Sequence, residues 1–386
     1  MYNYELFKLS LDDLDRLAKT MDAAEYRRTR GLWYIVTAPT EDYVAQADSW
    51  LRQAVALGDA EAKLHLANMY RFGDLGMVDM EEYRRLVDEA VQGGCQLAEI
   101  RQCRDIAYGV GQKAELDRGL AEALKRLASH PMPDPRWYDA IGWMLFAKDE
   151  KEGANKYFLK AIDGGYTDSY MGLSDMPGKQ EEGRRAGCGG SCILLAEELE
   201  KRYDECYNND ANAVEYFSDD NEKKAYLDAN YNYRKELAGQ IEGLYEEATR
   251  LGEPMAYFYL GMLYYAALLG HLEDDDKAWA YFMRGNQLGD MSCIAMLAEM
   301  IMEGRAPEQY RYEDACFFHL KALRFGDDDQ LLPVMQAYFE GDLDDYADEI
   351  ETLYKPLYDA LGDEDGLESW PDDDPEDDDG RYDAWA

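Results

Sequence analysis

Long apolar runs and basic residues are what this sequence lacks. No stretch of its 386 residues approaches the ~18 apolar residues that a membrane span requires, and residues 1–17 have no apolar core of the signal-peptide type. Only 40 lysines and arginines stand against 81 aspartates and glutamates, which gives a formal net charge of -41. This charge repels phosphates and anionic lipids, so the sequence predicts no direct binding to nucleic acid and none to a membrane. We expect a soluble, cytoplasmic protein.

Side chains for catalysis or metal binding are also scarce. The chain has only four histidines, at no metal-ligand spacing: His65, His130, His271 and His319. The seven cysteines are an odd number spread along the chain, which favours reduced thiols over a disulfide framework. Cys188 and Cys192 are neighbours in a glycine-rich stretch, but most structural zinc sites need four ligands, and no G-x-x-x-x-G-K-[ST] phosphate loop is present. Because no nucleophile is paired with a base, we predict a non-enzymatic protein without metal or cofactor.

What the sequence does contain is a repeated helical pattern. Alanines, a large apolar or aromatic pair and a closing glycine recur in the order A-x-x-(pair)-x-x-A-x-x-G. The copies run from Ala47 to Gly58, from Ala154 to Gly165, from Ala278 to Gly289 and from Ala315 to Gly326, with a looser copy from Tyr83 to Gly94. A second pattern lies between them, and its best copy runs from Asp59 to Gly73. Two patterns per repeat predict two helices per repeat, as in a solenoid.

The repeat positions also carry packing and termination signals. Small residues recur at one position of the first helix, where a close helix crossing leaves no room for a longer side chain: Gly31, Ala67, Gly142, Gly261 and Ala298. Glycines suited to a left-handed helix end close the second helix: Gly58, Gly165, Gly289 and Gly326. Residues suited to start the next helix follow them: Asp59, Thr167, Asp290 and Asp327. Successive repeats are 32 to 39 residues apart, except for one step of 87 residues between Leu173 and Leu260.

These motifs resemble the Sel-like repeats, which are relatives of the tetratricopeptide repeat. The residues that carry the resemblance are Ala62, Leu66, Ala67, Tyr70 and Gly73, and then Ala256, Leu260, Gly261 and Tyr264. The resemblance covers most of residues 22–362 and is weak around Gln102, where the pattern has leucine. It implies an all-α fold, a right-handed superhelix of about seven helical hairpins with a concave groove lined by the first helices. It also implies a protein-interaction scaffold with no catalytic residues.

We expect five segments along the chain. They are an N-terminal cap helix in 1–21 with Ser10 capping Leu11 to Lys19, repeats in 22–177, an insertion in 178–232, repeats in 233–362 and a disordered acidic tail in 363–386. Within the insertion, Gly178 to Cys192 is predicted to be a mobile loop. A polar break is expected at Asn208 to Asp210, between two helices.

Tetratricopeptide geometry predicts which side chains face the groove. The candidates are Arg28, Arg71, Arg104 and Arg136 at one end, with Trp143, Phe258, Met262 and Tyr265 as apolar positions. Met302 and Phe339 fall at equivalent places. Arginines with aromatic and methionine side chains suit a peptide that carries carboxylates and apolar anchors. The alternative is that the arginine stems cover neighbouring helices and pair with local acids.

The main functional prediction is a scaffold or adaptor that binds a protein or peptide partner in the groove. A second hypothesis is an acidic inhibitor or immunity-type protein, which would neutralise a toxin or a nucleic-acid enzyme through its negative surface. A further hypothesis is self-regulation, in which the acidic tail folds back onto the arginine end of the groove and competes with a ligand. The identity of the partner, the pathway and the oligomeric state stay open.

Overall fold

The computed structural model describes residue 6 and residues 9–37, 42–76, 78–110, 114–216 and 219–359; of residues 211–216 it describes the backbone alone. Within these ranges the regular elements are all helical and no strand occurs, so the prediction of an all-α helical solenoid is confirmed. Across the same ranges, no helix is long and apolar enough to cross a membrane. The predicted acidic tail, 363–386, lies outside the described residues.

The N-terminal part is a series of hairpins behind a short cap helix. In chain order its helices are α1 Leu11–Leu17, α2 Ala23–Thr37, α3 Tyr43–Ala56, α4 Ala60–Arg71, α5 Met80–Gln92, α6 Gln96–Tyr108, α7 Leu116–Ser129, α8 Arg136–Ala147 and α9 Lys151–Asp163. The hairpins are α2–α3, α4–α5, α6–α7 and α8–α9. Ser10 caps α1 as predicted, because its hydroxyl accepts the amide of Asp13 while the Asp13 carboxylate accepts the amide of Ser10.

Small residues in the first helices act as sockets for large side chains of the second helices. A Cβ atom added to Gly142 would lie 2.5 Å from the ring of Phe158, and one added to Gly261 would lie 2.3 Å from the ring of Phe282. Both rings are fully buried and belong to the repeated pair of the second helix. The predicted reason for the small residues is therefore confirmed at these crossings.

The predicted conformation of the closing glycines is confirmed at all four positions, and the predicted helix starts are confirmed at two of four. The four glycines predicted to be left-handed all have positive φ angles, between 77° and 104°. Asp59 and Asp290 cap the next helices by accepting the amides of Ala62 and Cys293. After the other two glycines the chain enters short 3-10 turns instead, Thr167–Leu173 and Asp328–Gln330.

The segment predicted to be a glycine-rich loop is largely helical, so that prediction is wrong. α10 spans Lys179–Arg185 and α11 spans Gly189–Tyr216. The glycines serve helix contacts here: a Cβ on Gly183 would lie 2.2 Å from Oγ of Ser191, and one on Gly190 would lie 2.2 Å from the sulfur of Met171. Their role is close packing, which leaves the same mark on a sequence as a turn.

α11 and the next helix, α12 Asp220–Arg250, form an elongated hairpin with 28 and 31 residues. The predicted break at Asn208 to Asp210 does not occur. Asp210 accepts a hydrogen bond from Asn230 at 2.8 Å and pairs with Arg234 at 2.7 Å, so α12 supports the polar stretch from outside. The division of the chain into the five predicted segments stays a prediction.

The C-terminal helices resume the regular hairpins. They are α13 Met255–Tyr265, α14 Asp275–Gln287, α15 Met291–Met302, α16 Tyr312–Phe325, α17 Leu331–Glu340 and a helical segment over 347–359, here α18. α13 pairs with α14, and α15 pairs with α16.

The first hairpins touch the last ones. The rings of Phe72 and Phe325 are stacked with centroids 4.2 Å apart and an interplanar angle of 8°. The Arg284 guanidinium donates to the carbonyl oxygen of Val36 at 2.7 Å, at the end of α2. The side chain of Val36 also shares a buried cluster with Leu288. The array therefore curves far enough for α2 and α4 to meet α14 and α16.

Candidate functional site

Two of the predicted groove arginines lie in one cleft and are already paired. A polar cleft of about 620 Å³ runs along the starts of α2, α4, α6 and α8 and is lined by Arg28, Arg136 and Glu61 among others. Arg28 donates to both carboxylate oxygens of Asp59 at 2.7 and 2.9 Å. Arg136 donates to both oxygens of Asp134 at 2.7 and 2.8 Å. These two arginines are therefore paired with local acids, which is the alternative that the sequence left open for the groove arginines.

A second group of arginines is held differently. Arg71 ends α4, while Arg101 and Arg104 lie on α6, and all three are half-buried; we call these three residues the arginine surface. Among the described residues, none of the three has a carboxylate oxygen within 4 Å. The Arg71 guanidinium instead faces the rings of Phe72 and Tyr83, at 4.9 and 5.9 Å from their centroids.

The three arginines all lie close to one buried acid, Asp105, and Arg71 also lies close to Arg101. Burial, and next the positive charge of Arg101, lower the pKa of Arg71. Asp105 is only 9% exposed, and its carboxylate accepts the Tyr83 hydroxyl at 2.5 Å. Burial raises the pKa of Asp105, although the bond from Tyr83 and the three arginines lower it. Asp139 on α8 is buried as well and lies within electrostatic range of Arg104. Among the described residues, these two acids beside three guanidinium groups leave the arginine surface with a net positive charge.

The local sequence explains the placement of Asp105. Tyr83 occupies the repeated apolar position of α5 and is 1% exposed, so its hydroxyl must find a partner inside the protein. Asp105 provides that acceptor from α6. Its second oxygen, Oδ1, is buried and has no hydrogen-bond partner among the described residues.

The predicted apolar groove positions are engaged in packing. Phe258 and Met262 are half-buried and pack against the large C-terminal core cluster. Tyr265 donates its hydroxyl to Glu303 at 2.8 Å, and the Arg305 guanidinium lies 4.0 Å from its ring centroid. Trp143 packs edge-on against Phe158, with centroids 5.1 Å apart.

Other aromatic side chains are more exposed and lie on the helices next to the arginine surface. Tyr108 at the end of α6 is 44% exposed, and Phe146 near the end of α8 is 38% exposed. Burial raises the pKa of Tyr108, and the charge of Arg104 lowers it, which indicates that the two groups are neighbours. On α15 and α17, Met302 and Phe339 are 53% and 59% exposed.

Sequence reasoning identified Arg71 and Arg104 but missed Arg101, Asp105 and Tyr108. The repeat around Gln102 has a weak pattern, since a polar residue stands where leucine is expected. In the structure Gln102 donates to Asp88 at 2.5 Å and accepts from Arg126 at 2.9 Å, so a polar network replaces an apolar contact. The run Arg101-x-x-Arg104-Asp105 on one helix was the available signal.

A second cleft, of about 570 Å³, lies beside the elongated hairpin. Its floor contains Leu195, Leu199 and Leu244. Its charged rim is already paired, with Arg184 at 3.0 Å from Glu247 and Arg202 at 2.6 Å from Glu198.

The histidines and cysteines are dispersed. His130 contacts Glu99 at 3.1 Å and His319 contacts Gln330 at 2.6 Å, each as a single polar pair. Within the described part of the chain, no three histidine, cysteine or acidic side chains come together as metal ligands. Cys188 and Cys192 are buried free thiols, and burial raises the pKa of both.

Comparison with known proteins gives likenesses of fold. No protein-family model matches the sequence, and no curated protein matches it. A Sel1 repeat protein from Oxalobacter formigenes is similar over 87% of this chain and 93% of its own, with 17% identity and a TM-score of 0.36. A protective antigen of uropathogenic Escherichia coli with an SLR fold is similar over 86% of this chain and 76% of its own, with 16% identity and a TM-score of 0.34. Both are described by the type of repeat that the sequence motifs resemble.

Proposed function

We propose that this chain is a non-enzymatic scaffold that holds an acidic segment of a protein partner against the arginine surface. The observation that supports it is three half-buried arginines that have no carboxylate contact among the described residues, in a chain whose net charge is -41. In such a chain a local acid is easily supplied, as Asp59 and Asp134 show for the other two groove arginines. A positive surface that stays unneutralised attracts an acidic ligand from outside.

The chemistry of the surface specifies the ligand. Guanidinium groups bind carboxylates through two parallel hydrogen bonds, which favours glutamate and aspartate side chains. The exposed rings of Tyr108 and Phe146 offer contacts for an apolar side chain placed between the acids. The partner segment is therefore expected to combine several acids with an aromatic or aliphatic residue.

The test is an affinity pull-down from native extract with three forms of the full chain. They are the wild type, the arginine-surface variant R71A/R101A/R104A and a charge-matched control, R85A/R185A/R202A. The control removes three exposed arginines that pair with acids on their own helices: Arg85, Arg185 and Arg202. Proteins retained by the wild type and the control but lost from the arginine-surface variant support the proposal. The same retained proteins with all three forms would overturn it.

The hypothesis of an acidic inhibitor or immunity-type protein stays a prediction, as does the cytoplasmic location. Binding of a basic partner that falls steeply with salt and ignores the arginine-surface substitutions would favour the inhibitor.

A further inference from the structure

We infer that the acidic segment 363–386 of this chain binds its own arginine surface and competes there with the partner. This inference rests on the proposed function, because it assigns an intramolecular occupant to the same site. Four observations support it: the anchoring of α18, the nearness of α18 to Arg71, the charge of the segment and its reach.

A buried ion pair joins α18 to α16, and its guanidinium packs just beyond the end of α4. Arg324 on α16 donates to both carboxylate oxygens of Glu349 at 2.8 and 2.7 Å, and both side chains are 1% exposed. The Arg324 guanidinium also packs on Gly73, where an added Cβ would lie 2.7 Å from it. Gly73 is two residues after Arg71, so the contact that closes the array brings α18 next to the arginine surface.

α18 is the last described helix, and one of its side chains lies within electrostatic range of Arg71. Tyr354 lies on α18, five residues after Glu349. Burial and the charge of Glu349 raise the pKa of Tyr354, while the charges of Arg324 and Arg71 lower it, so Arg71 lies within electrostatic range of α18. The described chain ends at residue 359, from where the acidic segment follows.

The composition of residues 363–386 matches the ligand expected for the arginine surface. Residues 363–386 contain twelve acidic residues and one basic residue, Arg381. They also include three large aromatic residues, Trp370, Tyr382 and Trp385. This is the combination of carboxylates and apolar anchors that suits the arginines and the exposed rings of Tyr108 and Phe146.

The connection is short enough for efficient competition. An extended chain covers ~3.3 to 3.6 Å per residue, so the first acids, Asp363 to Asp365, are within roughly 20 Å of residue 359. A ligand on a short tether acts at an effective concentration of the order of millimolar. An external partner must displace the segment, which raises the partner concentration needed for binding.

The test uses a labelled synthetic peptide of residues 363–386 and fluorescence anisotropy at low salt. The receptors are the full wild-type chain and a tail-neutralised chain, D372N/D373N/D374N/D377N/D378N/D379N. We expect the peptide to bind the tail-neutralised chain at least ten-fold more tightly, since the internal competitor is weakened. Adding R71A/R101A/R104A to that chain should abolish the gain, whereas adding R85A/R185A/R202A should preserve it.

Equal affinity of the peptide for the wild-type and tail-neutralised chains would overturn the inference, as would binding that survives the arginine-surface substitutions. The pull-down separates this result from a failure of the proposed function. Partners that depend on the arginine surface while the peptide does not bind would leave the scaffold proposal standing and remove the tail from the site.

Discussion

The paired and unpaired arginines of the N-terminal hairpins are held in two different ways. Arg28 and Arg136 each make a two-bond contact with a nearby aspartate at the start of a helix. Arg71, Arg101 and Arg104 surround the buried Asp105 without a direct ion pair to it, and Arg104 also lies within electrostatic range of the buried Asp139. The charge of the paired arginines is neutralised within the fold, whereas the positive charge of the arginine surface stays available to a ligand.

The two arrangements differ in their contribution to the stability of the fold. A half-buried cation with its own carboxylate contributes to folding, whereas three neighbouring cations without one repel each other. Groups that are kept in an unfavourable arrangement are candidates for function, since the ligand supplies the missing counter-charge. Substitutions at the paired and unpaired arginines should therefore have different effects on stability and on partner binding.

The largest effect is expected at the buried ion pair between Arg324 and Glu349. R324A or E349A alone should lower the free energy of unfolding by about 3 to 5 kcal/mol, because each leaves an unpaired charge in the interior. The apolar double variant R324M/E349L should lose much less. Urea unfolding checks this, and single variants within about 1 kcal/mol of the wild type would show that the pair is not buried in solution.

A moderate effect is expected at the paired groove arginines. R28A/R136A should lower the free energy of unfolding by about 1 to 2 kcal/mol, because both contacts are only partly shielded from water. Retention of partners in the pull-down should be unchanged. Loss of every partner with this variant would move the binding site to the cleft of Arg28 and Arg136.

Glu253 is the acidic counterpart, a carboxylate that has no cation partner within the described ranges. Burial, with the charges of Asp168 and Asp290, raises its pKa to about 7, although a bond from the Met255 amide opposes this. Since the pKa is higher in the folded state, the stabilisation from this group is present below its unfolded pKa, at about 4.3, and is lost as the pH rises through 7. E253Q should therefore gain stability relative to the wild type between pH 5 and pH 8, by roughly 2 to 3 kcal/mol.

Thermal unfolding across that pH range measures the Glu253 effect. The matched control is E152Q, at an exposed glutamate of α9, which should follow the wild-type pH profile. A difference between E253Q and wild type that does not change with pH would contradict the raised pKa.

The helical hairpins were predictable from the sequence because their signals are local. Closing glycines, capping aspartates and the small residues at crossings act within one or two helices. The loop prediction at Gly178 to Cys192 failed because glycine permits close packing as well as turns. The polar stretch around Asp210 remains helical through Asn230 and Arg234 on the partner helix, and local composition does not encode such support.

The site was predictable only in part, for a related reason. The groove register identified arginines on the first helices, but the distinction between paired and unpaired ones depends on other repeats. The partner of Arg28 is Asp59, 31 residues away, and the acid near Arg71 is Asp105, on the next first helix. Sequence spacing gives the position of each cation and leaves its counter-charge undetermined.

Whether the arginine surface is kept for binding or for folding can be measured by the free energy of urea unfolding of R71A/R101A/R104A beside that of R28A/R136A. The account predicts that the arginine-surface variant stays within about 0.5 kcal/mol of the wild type or exceeds it, while the paired-arginine variant loses about 1 to 2 kcal/mol. A larger loss in the arginine-surface variant than in R28A/R136A would contradict the account, since it would mean that these three arginines hold the fold together.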